Sequence, residues 1–450
     1  MPRIKEEGSM RMNVVFKMSA LFVFLFSHTV LSSKDYYVSS TGTGKTASKE
    51  APARDLGYII SQLQAGDTVH IAGGLYTGKN QNGYDKIEVP VSIIGGYDNS
   101  FSSRDPWGKY QTIFTGQNSS PDFDPRARLL IELHLRYKTS PVAPPPILID
   151  GIIIDNKDRN RYTEDNLQII RRASPGEHKR ESPPSPGIKI TAAERVSVDI
   201  RNCVFINIAS ATSALHVAGN KNSIINIHNN LILNNTGSGL HASTVFHINK
   251  EKLSDAERSS LPRFIVSRNT ILFSWEYGPQ DRFGGEALKV EDNITISAQN
   301  NFFGFSDAFG VDNIRRARSF SLKDNLFLAN HKADYREWNS RFLVEKIPQE
   351  TSLLSSDSTG NITQAVLLPL PVPWATLILS RLDIKSRQFS GTPLSQAAMD
   401  LIFASLSVLA PKDIPKIKSR AWLPPLELAP ARLLGKSPYL GKYGCSEPRF

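Results

Sequence analysis

Ile188-Lys-Ile-Thr-Ala-Ala-Glu-Arg-Val-Ser-Val-Asp-Ile-Arg-Asn202-Cys-Val-Phe-Ile-Asn207 and Leu215-His-Val-Ala-Gly-Asn-Lys-Asn-Ser-Ile-Ile-Asn-Ile-His-Asn229-Asn-Leu-Ile-Leu-Asn234 are two copies of one pattern. Each holds a short alternating strand (Ile188/Ile190, Leu215/Val217), a second one (Val196/Val198/Ile200, Ile225/Ile227), and then Asn, any residue and an apolar run. In both, the first strand begins 14 residues before the Asn. The corner recurs at Asp150-Gly-Ile, Asn269-Thr-Ile, Asn300-Asn-Phe and Asp324-Asn-Leu, which fits a unit of roughly 25 residues with loops inserted at some turns. The strand opening each unit continues at Leu240, Leu288 and Val311.

Short strands separated by a polar amide predict an all-β parallel β-helix, in which each unit is one coil. No coil buries its apolar residues alone; the stack does. Asn202, Asn229 and Asn300 are expected to align as one interior ladder of hydrogen-bonded amides.

Gly66-Asp-Thr-Val-His-Ile-Ala-Gly-Gly-Leu-Tyr76 and Val91-Ser-Ile-Ile-Gly-Gly-Tyr97 read as the first coils, and Leu56 to Leu63 as a short capping helix. With Tyr36-Tyr-Val38 and the Asn corners, these stretches resemble secreted right-handed parallel β-helix proteins, the pectate-lyase-like superfamily. The resemblance covers roughly residues 36 to 340. It implies the fold, and for activity an enzyme of the polysaccharide lyase class; the same motifs also occur in non-catalytic adhesins.

Three segments follow: 1–33 as a signal peptide, 34–340 as the β-helix domain, and 341–450 as a Pro-rich capping or flanking segment. Arg11 and Lys17, the apolar run Met18 to Val30, and Ser32 with Ser33 have the order of a secretory signal. Two glutamates in residues 1–9 fit a signal poorly and make Met10 or Met12 an alternative start. The expected location is therefore the periplasm, the cell surface or the medium, with no stable membrane span after signal removal. The tail centres on one helix, Pro393 to Leu409, capped by Thr392.

Apolar residues make up 40% of the 450, which excludes wholesale disorder. A net charge of +10 favours an anionic partner, and export disfavours nucleic acid. Cys203 and Cys445 are too few for a disulfide scaffold and lack zinc spacing. Thr41-Gly-Thr-Gly-Lys-Thr46 imitates a phosphate loop but has Ser39 where the first glycine belongs.

If Leu215, Leu240, Leu288 and Val311 point inward, alternation sends His216, His241, Lys289 and Asp312 outward, with Lys189 before them and Glu291 two residues beyond Lys289. This column reads as a face for an acidic polysaccharide bound by a monomer. Elimination on a uronate polymer needs a base beside the carboxylate and a cation to neutralise it. The column offers mainly bases, whereas a hydrolase needs converging carboxylates, so a lyase ranks first. Lys289, His241 and His216 are the catalytic candidates; Lys189, Arg315, Arg316, Trp275 and Tyr277 the substrate-binding ones. The resemblance further implies Lys or Arg as base and calcium as cofactor, with Glu291 and Asp312 as its ligands. Insertions at 157–186, with seven basic and five acidic residues, and at 244–262 are read as possible groove walls. Trp338 is a further candidate for stacking on sugar. The competing readings are a glycan-binding adhesin and a structural envelope protein.

Overall fold

The computed structural model describes residues 33–116, 127–137, 142–157, 186–208, 210, 212–246, 248, 253–275, 284–330, 332–342, 354–363, 366, 368, 388–389, 392–393, 426–434 and 441–450. The signal segment up to residue 32, Tyr277, nearly all of the 157–186 insertion and residues 394–409 of the expected helix lie outside the described residues; its expected cap and first residue, Thr392–Pro393, form instead a two-residue strand paired antiparallel with Gln388–Phe389.

Three nine-stranded sheets make up the stack. The chain visits them in rotation: Ile224–His228 in the first sheet, Leu231–Thr236 in the second, Ser238–Thr244 in the third, then Arg263–Ser267 in the first again. Each strand pairs in parallel with its counterpart one turn away, and the exceptions are at the ends, where Ala333–Glu337 pairs antiparallel with Ser340–Phe342. The chain is thus a right-handed parallel β-helix. Two 3₁₀ turns, Leu56–Tyr58 and Ile60–Gln62, stand where a capping helix is expected; the Asp55 side chain accepts from Gly57 N–H, and Leu56 and Ile59 enter the core.

Parallel register places identical coil positions directly above one another, so the core consists of columns. Ile93, Ile149, Ile200, Ile227, Val266, Ala298 and Leu322 form one such column, and Ile188, Leu215, Leu240, Leu288, Val311 and Tyr335 another. Leu215 is wholly buried among them.

Asn229 Nδ2 donates to Asn202 Oδ1 at 2.7 Å and Asn202 Nδ2 to Asp150 Oδ1 at 2.8 Å in the expected column, but the interior amide ladder sits one residue beyond it. Asn202, Asn229 and Asn300 share one corner column with positive φ (55°, 54° and 55°), and this left-handed turn holds their side chains at the outer side. The next residue therefore points in. Asn230, Asn269, Asn301, Asn325 and Asn361 form the interior ladder, each Nδ2 donating to the following Oδ1 at 2.9–3.1 Å. Every amide also serves the backbone: Asn269 Oδ1 accepts from Asn230 N, and Asn269 Nδ2 donates to the Ile227 carbonyl. Cys203 holds the equivalent place one coil earlier, where its N–H donates to Asn230 Oδ1. Burial pushes both cysteine thiols up to about 12, which makes them inert packing groups.

The outer corner is occupied by segment 441–450. Lys442 pairs with Asp324, Gly444 N–H donates to Asn300 O, Cys445 N–H to Thr270 Oγ1, and Ser446 exchanges two hydrogen bonds with Asn229. The Phe450 ring lies 4.1 Å from the Arg104 guanidinium carbon. Val366, Leu368, Leu426, Leu434 and Cys445 cover the outer apolar side of the second sheet, including Leu231, Leu233 and Phe273.

Two stability measurements check this register. Leu215→Ala should cost about 2–5 kcal/mol in a denaturant titration, through the cavity left in the column. Asn301→Ala should cost about 2–4 kcal/mol, because buried Asn269 donors lose their acceptor. Asn300→Gly, at a left-handed position that glycine favours, should stay within about 0.5 kcal/mol; the reverse ranking would put the ladder at the other residue.

Candidate functional site

Alternation along the third sheet decides which side chains leave the stack. With Leu215, Leu240, Leu288, Val311 and Tyr335 inside, the outward column is Lys189, His216, His241, Lys289, Asp312 and Arg336, one strand spacing of about 4.8 Å per step. The five expected residues are in register, and the column runs one coil further. A second outward row, two residues on, carries Thr191, Ala218, Ser243 and Glu291.

His216 and His241 stack face to face, with ring centroids 4.4 Å apart and planes 9° from parallel. His216 Nε2 lies 2.8 Å from Ser243 Oγ and His241 Nε2 3.1 Å from Glu291 Oε1, each partner belonging to the second row. A carboxylate can only accept, so His241 carries its proton on Nε2 in this pair; its buried Nδ1 has no partner. Burial holds the His216 imidazole well below its usual range, and His241, Lys189 and Lys289 add to the effect. Burial also lowers His241, against the opposing pull of Glu291. Both rings are neutral at pH 7.

Glu291 is the hub of this half. Its carboxyl is held below the usual range, first by the His241 hydrogen bond and then by the charges of Lys289 and Arg315. Lys289 Nζ stands 3.9 Å from Oε1, and Arg315 Nε 3.5 Å from Oε2. Lys289 is 31% exposed, so it reaches solvent from the middle of the column. Arg315 and Arg316 are exposed beside it.

The other half is closed by Arg336. Its Nε and Nη2 donate to Asp312 Oδ1 and Oδ2 at 2.7 and 2.6 Å, and Nη2 lies 3.9 Å from Glu286 Oε1. Glu286 is buried and accepts from Ser238 Oγ at 2.9 Å. Burial and the Asp312 charge push its carboxyl up, which biases Glu286 towards its neutral form.

These contacts correct two expectations. Glu291 and Asp312 do not fit a calcium site, which needs several oxygens facing one ion: both Asp312 oxygens accept from Arg336, and Oδ1 also from Ile314 N–H. No group of three or more His, Cys, Asp or Glu suited to a metal occurs among the described residues. Trp275 does not face a groove; it is 3% exposed in the second sheet, donating Nε1–H to Asn234 Oδ1 at 2.9 Å. Trp338, 58% exposed, stands just beyond the column's end at Arg336.

Ser243, Glu286 and Arg336 were not singled out from the sequence. Arg336 had a usable signal, since it follows Asp312 by the same 24 residues that separate Asn300 from Asp324. Glu286 had none, because it stands at the strand entrance after a loop of irregular length.

Two clefts lie away from this face. One of about 840 Å³ is bounded by Asn202, His228, Asn229, Arg268 and residues 446–450. Its polar groups include the Asn229 and Ser446 pair that fastens the outer segment to the stack. The other, about 490 Å³, lies between Gly73–Leu75, Tyr97–Asn99 and Lys109–Ile113. The first is lined by Asp105, Glu447, His228, Arg268 and Arg449, and the second by Asp98 and Lys109.

No family model matches the chain, and no curated protein matches it. Among solved structures it is similar to the crystal structure of pectate lyase Pel9A, with 11% identity, a TM-score of 0.31, and coverage of 81% of this chain and 88% of that one. The complex structure of XylC with xylose overlaps at 12% identity and a TM-score of 0.25, over 67% of this chain and 63% of that one. The fold assignment rests on the chain's own three parallel sheets, and no residue is matched to either structure.

The stacked histidines predict a pH dependence. An imidazole whose pKa is lower folded than unfolded binds fewer protons in the folded state, so its contribution to stability is full above about 6.5 and is lost as pH falls through the folded value. Glu286, raised on folding, acts oppositely from about 4.5 upward. Melting temperatures of the protein and of His216→Gln between neutral and mildly acidic pH should therefore converge as pH falls. Parallel curves would mean that His216 is as easily protonated in the stack as in water.

Proposed function

We propose that the outward face of the third sheet binds an acidic polysaccharide and cleaves it by β-elimination, with Lys289 as the base. The observation that carries this reading is the placement of Lys289. It is a solvent-reaching amine at the centre of the column, one coil from the uncharged His241 imidazole, which stacks on that of His216, and beside Glu291 and Arg315. Lys189, at the other end of the histidine pair, has no ion-pair partner among the described residues and extends the positive field along the same line.

In the proposed step the Lys289 amine, acting in its unprotonated form, takes the proton from the carbon bearing the uronate carboxyl. The electron pair forms the new carbon–carbon double bond, the bond to the leaving glycosidic oxygen breaks, and that oxygen takes up a proton. Arg315 offers a guanidinium for the charge that develops on the carboxylate. His241, neutral and hydrogen-bonded to Glu291, keeps that acid from closing fully on Lys289. Export belongs to the same proposal, and mature protein beginning near Lys34 would support it. Among the described residues no helix is long and apolar enough to cross a membrane.

A second reading, glycan binding without chemistry, is favoured by one observation: Asp312 with Arg336, and Glu291 with His241, already satisfy one another. Lys289→Ala separates the readings. It should abolish the ultraviolet absorbance of unsaturated product on uronate polymers, while affinity for the uncleaved polymer stays within a few-fold. New reducing ends without unsaturation would instead mean hydrolysis, with Glu286 and Asp312 as its acids. Affinity unchanged by both Lys189→Ala and Lys289→Ala, and equal for neutral glycans, would remove the face as a binding site.

A further inference from the structure

Asp312 is where a metal was expected, and Arg336 is what the fold puts there. The two are direct register partners on adjacent coils, so the acid spends its charge along the column rather than outward. The guanidinium is fixed on three sides. Asp312 holds it at 2.6 and 2.7 Å, Glu286 Oε1 stands 3.9 Å from Nη2, and the Phe309 ring centre lies 4.1 Å from its central carbon. The Arg336 side chain is 20% exposed, and Nη1 is neither buried nor hydrogen-bonded.

A second guanidinium shares the ring. Arg341 pairs with Arg336 across the closing antiparallel strands, its central carbon 5.8 Å from the Phe309 centre. It is exposed and has no carboxylate partner among the described residues. Two like charges side by side repel unless something compensates them. Asp312 compensates one. Glu286, whose Oε1 stands 3.9 Å from Arg336 Nη2, is buried and pushed towards its neutral form.

We infer that Arg336 takes the place of a metal as the fixed cation of this face, and that its Nη1 and Arg341 together receive one carboxylate of a bound uronate chain. This rests on the acidic-glycan reading above and deepens it: the end of the column at residues 336–341 reads a sugar carboxylate without metal. A planar carboxylate suits the two guanidiniums because each offers a fork of N–H donors. Trp338, exposed in the turn between the two strands, is placed to cover a sugar ring at the same end.

The test uses a hexuronate trimer and its uncharged reduced counterpart, titrated calorimetrically into the full chain. Affinity for the trimer should be the same with chelator and with millimolar calcium. Arg341→Ala should weaken it about tenfold or more, the size of one charge-assisted hydrogen bond, with no change in melting temperature. Arg336→Ala frees Asp312 and should make melting temperature rise with added calcium, whereas the unaltered protein shows no such rise. Trimer binding that requires calcium, or that survives Arg341→Ala unchanged, overturns the inference. So does equal affinity for the uncharged trimer. If the trimer binds and Lys289→Ala abolishes unsaturated product on uronate polymers while Arg341→Ala leaves affinity unchanged, only this inference falls. A protein that binds no uronate trimer at all sinks both readings.

Discussion

The amide of Asn269 makes five hydrogen bonds inside the stack, and the geometry of the whole coil follows from the fact that it must. A bend between two strands leaves backbone N–H groups with no strand partner, and burying them bare would cost about 1–3 kcal/mol each. Asn answers with one acceptor and two donors on a short stem. It takes the N–H of Asn230 below, gives to Asn301 above and returns a donor to the Ile227 carbonyl. Because the same amide recurs in successive coils, the bends superimpose, and the strands leave them in register. A one-residue slip anywhere would turn apolar columns outward.

The chemistry of the third sheet is a by-product of that register. Lys189, His216, His241, Lys289, Asp312 and Arg336 are far apart in sequence, yet each lies one strand spacing from the next. At such spacing neighbours set one another's charge. Two imidazoles side by side, flanked by two lysines, stay uncharged. The Glu286 carboxyl, buried near Asp312, is pushed towards neutrality. The column divides into a half that keeps free bases and a half that closes on itself around Arg336.

Much of this was legible because coil stacking is a periodic code. The inward positions of Leu215, Leu240, Leu288 and Val311 followed from alternation, and the outward column followed from them. The ladder was misplaced by one residue because Asn229-Asn230 and Asn300-Asn301 are doublets: the pattern shows an amide at the corner but not which member adopts the left-handed turn. Asn269, preceded by Arg268 with φ of 55°, would have settled the choice. Charge pairing was invisible for another reason. Whether Asp312 faces a cation or a guanidinium depends on the residue one coil later, whose identity matters only once the coil length is known. Trp275 misled for the opposite reason: an aromatic near a loop suggests a surface platform, and the apolar cover over the second sheet removes it from water.

Segment 441–450 crosses the outer corner from Asp324 to Arg104, touching coils that otherwise meet only their immediate neighbours. A stack held solely by adjacent contacts can fray from either end, its stability being a sum of local terms. A strip fastened to several coils at once joins those terms, since a coil cannot leave without loosening the strip from its neighbours. It also joins residues 217 and more positions apart, contacts that pay their closure entropy late. The stack can therefore assemble coil by coil and acquire all-or-none unfolding only when the strip docks.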